Sequence, residues 1–348
     1  MQLNRKDRQV LNQLLNFWVD KELLTSEQSA RLQQSVTVKK TGWQLLARYA
    51  FYCTVVCGVL AIVAVMMDDR LIELLLKLFD ASAMVKSAGF AVAAALVLSL
   101  GYRFGKKAPN RLYTRESLYF LGVLLIAASD WFLGKALDTG SGHYSVLLLS
   151  ACFIYAVAGL VLSSRTLWLF ALGTLFWWFV EEIGYQTEYA FHLYGMNIFI
   201  WFSLFSALVL CSSYLCSSYL MPHSPRTRLF FPMTKTTGLL CLFSGLWGLA
   251  VFGNYDSAAN WKAVSQFELW QWNLPLAISS GVAVWVGAKW DDDIYQRVGI
   301  SFFILLIYTM FFEYVWDVIH QALFFVLLGL SFWALSHFAE KIWLKKQR

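Results

Sequence analysis

The 348-residue chain reads as an all-α, polytopic integral membrane helical bundle, and three observations lead there. Hydrophobic residues make up 59% of it and charged residues 14%, against about half and about a quarter in soluble domains. Apolar runs of roughly 15 to 25 residues recur along the chain, each long enough to cross roughly 30 Å of hydrocarbon as a helix. Its 28 Phe, 16 Trp and 16 Tyr suit a lipid-solvated protein, because Phe fills the hydrocarbon layer and amphipathic rings settle at the interface.

Residues 1–42 are polar, carry no secretory-signal core, and are expected to stay in the cytoplasm as a small helical hairpin. Val10, Leu11, Leu14, Leu15 and Trp18 recur at helical spacing, which predicts an amphipathic helix from about Asn4 to Glu22. A second helix is predicted after Thr25, where Thr-Ser-Glu-Gln matches a capping box closed by Gln28. Residues 43–348 then form the transmembrane bundle. Its ten predicted crossings are 45–67, 84–104, 117–135, 144–163, 166–181, 193–216, 236–254, 272–289, 298–314 and 320–338. The fifth and ninth are short, and each ends at an acidic cluster, Glu181-Glu182 and Glu313 through Asp317. If either failed to cross, every later loop would change sides.

Charge orients this arrangement. With the N-terminus inside, five of the 28 Lys and Arg lie in outer segments: Arg70, Lys77, Lys86, Lys135 and Lys262. The other 23 lie in inner ones, as the positive-inside rule requires, and both termini are then cytoplasmic. The formal net charge of +6 is an orientation signal and gives no reason to expect nucleic acid as a partner. The lipid bilayer is the partner that composition does demand. Between the first two crossings, Asp69 to Asp80 forms an amphipathic run expected to lie along the outer interface. The remaining loops are too short to hold a soluble catalytic domain.

Cys53, Cys57, Cys152, Cys211, Cys216 and Cys241 each sit in an apolar stretch and read as small core residues. Asp291, Asp292 and Asp293 lack the Gly and Glu of a calcium loop, and the chain has no phosphate-binding Gly-rich loop, zinc signature or nucleophile elbow. No metal and no cofactor is therefore expected. Ser87, Ala91 and Ala95, and later Ser244 and Gly248, recur at four-residue intervals that permit close helix approach. Cys-Ser-Ser-Tyr-Leu occurs twice in tandem at 211–220, with a period that matches neither helix nor strand.

The hairpin segment Lys-Glu-Leu-Leu-Thr-Ser-Glu-Gln-Ser-Ala-Arg-Leu (21–32), a Lys-rich gap and a first crossing from Trp43 resemble the bacterial predicted-membrane-protein family called domain of unknown function 2157. Glu22 replaces that family's usual Gly, and Ser29 its small Ala. The likeness covers about the first hundred residues. It implies a bacterial cytoplasmic membrane protein and supplies no reaction and no catalytic residue.

Ionisable groups at membrane depth mark the candidate sites, because burying charge in lipid is costly. Asp130 lies roughly 20 Å along its helix from Glu116 at about 1.5 Å per residue. That puts it in the outer third, either as a functional group or as an interfacial carboxylate reaching the surface. Glu313, Asp317 and His320, at i, i+4 and i+7, would share a helix face able to relay protons or hold a cation, or else form the turn before the tenth crossing. Glu181 and Glu182 follow Trp177 and Trp178, and Trp261, Glu268, Trp270 and Trp272 form a similar mixture. Such rings with carboxylates would suit a sugar, a lipid head group or an organic cation, and would equally anchor the chain at the interface.

Three functional readings follow. The leading one is a non-enzymatic carrier or ligand-binding membrane component using Asp130, Glu181, Glu182, Glu313, Asp317 and His320. The second is an enzyme acting on a lipid-linked substrate at the outer face, where Asp68 and Asp69 resemble the acidic pair of polyprenyl-phosphate-dependent membrane glycosyltransferases. In the third, residues 1–42 dock a cytosolic protein while the bundle serves as anchor or sensor.

Overall fold

The computed structural model describes residues 2, 3, 14, 15, 17–19, 21, 23–25, 27–29, 32, 37, 38, 49–54, 56–58, 60, 82–108, 111–137, 143–220, 225–255, 258–264, 266–315, 323–331, 333 and 337. The long helices are α1 (Ala83–Lys107), α2 (Leu112–Leu137), α3 (Ser145–Leu162), α4 (Arg165–Gln186), α5 (Ile198–Leu215) and α6 (Pro225–Phe252). After the short α7 (Ala258–Ala263) come α8 (Gln266–Trp290) and α9 (Asp293–Val315). Among the described residues, seven helices are long and apolar enough to cross a membrane: α1 to α6 and α9. Helix α8 has 25 residues, but Gln266, Glu268, Gln271 and Asn273 dilute its first turns. The eight long helices coincide with predicted crossings two to nine. Residues 49–54, 56–58, 60 and 323–331, within the first and tenth, are also helical.

The two short predicted crossings are longer as helices. Helix α4 has 22 residues and α9 has 23, about 33 Å and about 35 Å at 1.5 Å per residue. Glu181, Glu182 and Glu313 lie within these helices and do not terminate them. The hydropathy falls there while the backbone ladder continues.

The chain divides into two compact units, Met1–Leu125 and Ile126–Arg348. In the first, the predicted capping box is present: Gln28 N–H donates to Thr25 Oγ1 at 3.3 Å, and Thr25 N–H donates to Gln28 Oε1 at 3.0 Å. Two-residue strands, β1 (Gln2–Leu3) and β2 (Thr37–Val38), pair in parallel and have no counterpart in the sequence reading. Helices α1 and α2 approach through glycine, Gly101 against Tyr119 and Gly122 against Leu98. The buried stripe of α1 is Ser87, Ala94 and Gly101, whereas Ala91 and Ala95 are exposed. A heptad step drifts only about 20° around a helix, so it keeps a long seam aligned better than repeated four-residue steps.

In the second unit, α3 with α4, α5 with α6, and α8 with α9 pack as antiparallel hairpins, and α6 also touches α4, α8 and α9. Strands β3 (His192–Leu193) and β4 (Met196–Asn197) form a tight hairpin before α5. The core around α6 comprises Leu239, Phe243, Ala250, Leu276, Ala283, Val298 and Leu306. Gly245 lies against Ser203 and Gly248 against Phe199, so the small residues of α6 admit α5. Phe153, Val161, Leu208 and Ile278 stay exposed, the outward apolar face that lipid would solvate. Helix α5 continues into a π-helical turn, Cys216–Leu220, which is the second copy of the tandem repeat.

At Gly299 a Cβ would lie 2.9 Å from the Ser280 carbonyl oxygen, a backbone atom that cannot swing aside. Gly299→Val is therefore expected to lower stability in detergent by about 1–3 kcal/mol. Gly281→Ala, with nothing within 4 Å of the added carbon, should raise it by up to about 1 kcal/mol. Thermal unfolding of the two purified variants checks both signs.

Candidate functional site

The site begins with the turn that sets α3 against α4. Helix α3 ends at Ser163, whose φ of 50° is left-handed, and the Ser164 N–H returns to the Gly159 carbonyl at 3.1 Å. Ser164 then caps α4, its hydroxyl accepting from the Leu167 N–H at 3.3 Å. With so short a link the helices run back along each other, and a Cβ on Gly159 would lie 3.2 Å from the Trp168 nitrogen. This register carries Ser145, the first residue of α3, to Glu182 near the end of α4.

Glu182 is the centre of a polar cluster at the end of α3 and α4 predicted to face outward. Its Oε2 accepts from Ser145 Oγ at 2.6 Å, and His143 Nε2 lies 3.1 Å from the same oxygen. Its Oε1 accepts from Gln186 Nε2 at 2.8 Å. The His143 ring stacks on Tyr185, with centroids 4.0 Å apart and planes at 11°. Ser145 is fully buried, while the side chains of His143 and Glu182 are 32% and 25% exposed. The carboxylate is thus held by donors from beneath and stays open to a ligand from the rim. Glu181 points elsewhere and accepts from Tyr189 Oη at 2.8 Å.

The segment after α4 is a tightly held cap. Glu188, Tyr189, Phe191 and Tyr194 all have positive φ, a conformation that disfavours bulky residues and persists only when surrounding bonds enforce it. Those bonds are present: Tyr189 N–H reaches the Gly184 carbonyl at 2.7 Å, and Phe191 N–H reaches Thr187 Oγ1 at 3.0 Å. Asn197 caps α5 by accepting from the Ile200 N–H at 3.2 Å. Its side-chain amide donates to the Gly253 carbonyl, and its own N–H donates to Asn254 Oδ1 at 2.8 Å. Asn254 in turn donates to the Gly195 carbonyl at 2.9 Å.

Asp130 lies deeper in the same unit. Gly134 packs on Leu147, so Asp130, one turn earlier on α2, sits roughly 9 Å below the Ser145–Glu182 contact. One of its carboxylate oxygens is buried without a hydrogen-bond partner among the described residues. Glu313 is on α9, which packs with α6 and α8. The structure therefore places Glu181 and Glu182 on α4, Asp130 on α2, and Glu313 in a different set of helices. Asp68, Asp69, Asp317 and His320 lie outside the described residues. Of the predicted aromatic mixtures, Trp177 stays exposed, Trp178 packs edge-on against Phe205, and the Trp261 indole N–H is taken by the Val251 carbonyl at 3.1 Å. Sequence reasoning missed His143 and Ser145. The available signal was Ser-Gly-His-Tyr-Ser (141–145), polar residues placed directly before an apolar run.

The opposite end of the unit carries an ion pair. Lys235 of α6 donates to Asp292 between α8 and α9, and the Lys235 ammonium also lies 5.3 Å from the Tyr295 ring centroid. Asp292 Oδ1 accepts from the Ile294 N–H at 3.0 Å. No family model, curated protein or solved structure matches the chain.

Partial burial pushes the Asp292 carboxyl up, but the Lys235 ammonium and the backbone donors outweigh it, and the carboxyl is held below its ordinary value of 3.8. A lowered folded-state pKa stabilises above the unfolded value and is lost as pH falls through the folded one. Thermal stability in detergent should accordingly decline on acidification from roughly pH 5 to roughly pH 3. Asp292→Asn should start lower and lose less over that range; identical acid limbs in the two proteins would contradict this.

Proposed function

We propose that the chain is a multi-pass protein of the bacterial cytoplasmic membrane, with ten crossings and both termini inside, that works as a carrier or ligand-binding component. Seven membrane-length helices, the concentration of Lys and Arg in the predicted inner segments, and the N-terminal likeness to the family of domain of unknown function 2157 support this placement. The observation that carries the ligand-binding reading is the Glu182 carboxylate, supplied with donors by Ser145 and Gln186 and bordered by the stacked His143 and Tyr185. A half-open carboxylate with aromatic rims at the end of apolar helices suits a solute bearing a cationic or hydroxyl group. Asp130, deeper in the same unit with an unmet carboxylate oxygen, offers such a solute a second stop.

Proteoliposomes containing the purified chain test the reading. Glu182→Gln should lower solute flux about tenfold, the size of one charge-assisted hydrogen bond. A screen in which neither any solute class nor protons move would overturn the carrier. Orientation is checked separately in a cysteine-free background. Lys262→Cys should react with an impermeant maleimide on intact cells, and Lys107→Cys only after lysis; the opposite pattern overturns the proposed topology.

A further inference from the structure

A second polar feature lies on the buried stripe of α8, at Asn273. This residue is 4% exposed, yet neither atom of its side-chain amide has a hydrogen-bond partner among the described residues. The buried indole N–H of the adjacent Trp272 is equally unmet. Among the described residues the buried Ser280 Oγ, two turns along the same helix, and one Asp130 oxygen are also unmet, whereas several buried polar groups elsewhere in the unit find partners. Asn197, 6% exposed, uses both ends of its amide, and the fully buried Ser206 donates to the Phe202 carbonyl at 2.7 Å. An apolar surrounding has no donors or acceptors to offer, so an orphaned amide buried in it calls for a polar occupant.

The helix register brings a carboxylate toward it. Gly287 lies against Gln296, and Gly299 against Ser280 and Ala283. Extended along the antiparallel pair, this register sets Thr309 and Met310 across from Asn273, with Glu313 one turn farther out. Leu269, Asn273, Leu276 and Ala283 mark the buried stripe of α8. On α9, Leu306 and Met310 belong to the facing core, and Glu313 follows at i+7 and i+3. Thr309 is already engaged, accepting from Trp247 Nε1 at 3.0 Å and donating to the Leu305 carbonyl at 2.8 Å.

We propose that this seam binds a small solute carrying a primary ammonium and a nearby hydrogen-bond acceptor, the chemistry of an amino acid or an amino alcohol. The ammonium N–H groups go to Glu313 and Asn273 Oδ1, and the acceptor takes the Asn273 amide N–H and the Trp272 indole N–H. A bare metal cation would leave both sets of N–H donors unmet, and a simple anion would be repelled by Glu313. The inference rests on the carrier reading for how the solute reaches the seam, and names its class.

Titration calorimetry of the detergent-purified full chain, with glycine and ethanolamine as probes, tests it. Saturable binding of at least one probe is expected, weakened about tenfold or more in Asn273→Leu and in Glu313→Gln. Asn273→Leu replaces an unmet amide by an apolar side chain of similar size, so its thermal stability should hold or rise, which separates lost binding from lost folding. Silence with both probes, or unchanged affinity in both variants, overturns the site. Probe binding without any proteoliposome flux keeps the site and removes the carrier, whereas flux that depends on Glu182 without probe binding removes the site and keeps the carrier.

Discussion

Every peptide N–H and C=O placed in hydrocarbon has to find its partner within its own segment, and the described architecture follows from that demand. Long helices satisfy it for the backbone, and small polar side chains satisfy it locally. Ser99, Ser150, Thr174, Ser203, Ser206, Ser212 and Thr234 all turn their hydroxyls back onto carbonyls three or four residues earlier. Tryptophan indoles reach farther, Trp168 to Thr234 and Trp201 to the Leu193 carbonyl. Against that background, the buried atoms left unmet among the described residues, on Arg115, Asp130, Trp272, Asn273 and Ser280, are informative.

Because lipid competes with every apolar side chain equally, hydrophobicity alone does little to hold one membrane helix to another. Close fit takes over that role. Gly245 and Gly248 admit α5 to α6, and Gly299 lets α9 ride on the Ser280 carbonyl of α8. Polar contacts concentrate at helix ends, where water begins: Glu182 with its donors at one end of the second unit, Lys235 with Asp292 at the other. The core of the unit is therefore apolar and glycine-fitted, and its polar groups gather at the two rims, at Asp130 and along the buried stripe of α8 at Asn273 and Ser280.

The parts legible in the sequence are those written in neighbouring residues. Apolar length located eight long helices, and the Thr25–Gln28 capping box was readable because its two hydrogen bonds span three residues. The ends of α4 and α9 were read too early, since Glu181 and Glu313 lower hydropathy without breaking the backbone ladder. The Glu182 cluster was only half visible. Its carboxylate was flagged, but Ser145 and His143 lie 37 and 39 residues away, and only the register of the α3–α4 hairpin brings them together. The seam of α1 was misread in a similar way, as a four-residue repeat where the helix buries a seven-residue one.

Asn197 and Asn254 bind the start of α5 to the segment just past α6 through their side-chain amides, at the end farthest from the π-helical turn that follows α5. The tie makes that tip of the α5–α6 hairpin and its amide-bound loops one stiff piece. The wider coil at Cys216–Leu220, at the other end, is the place where α5 has room to bend without breaking those bonds.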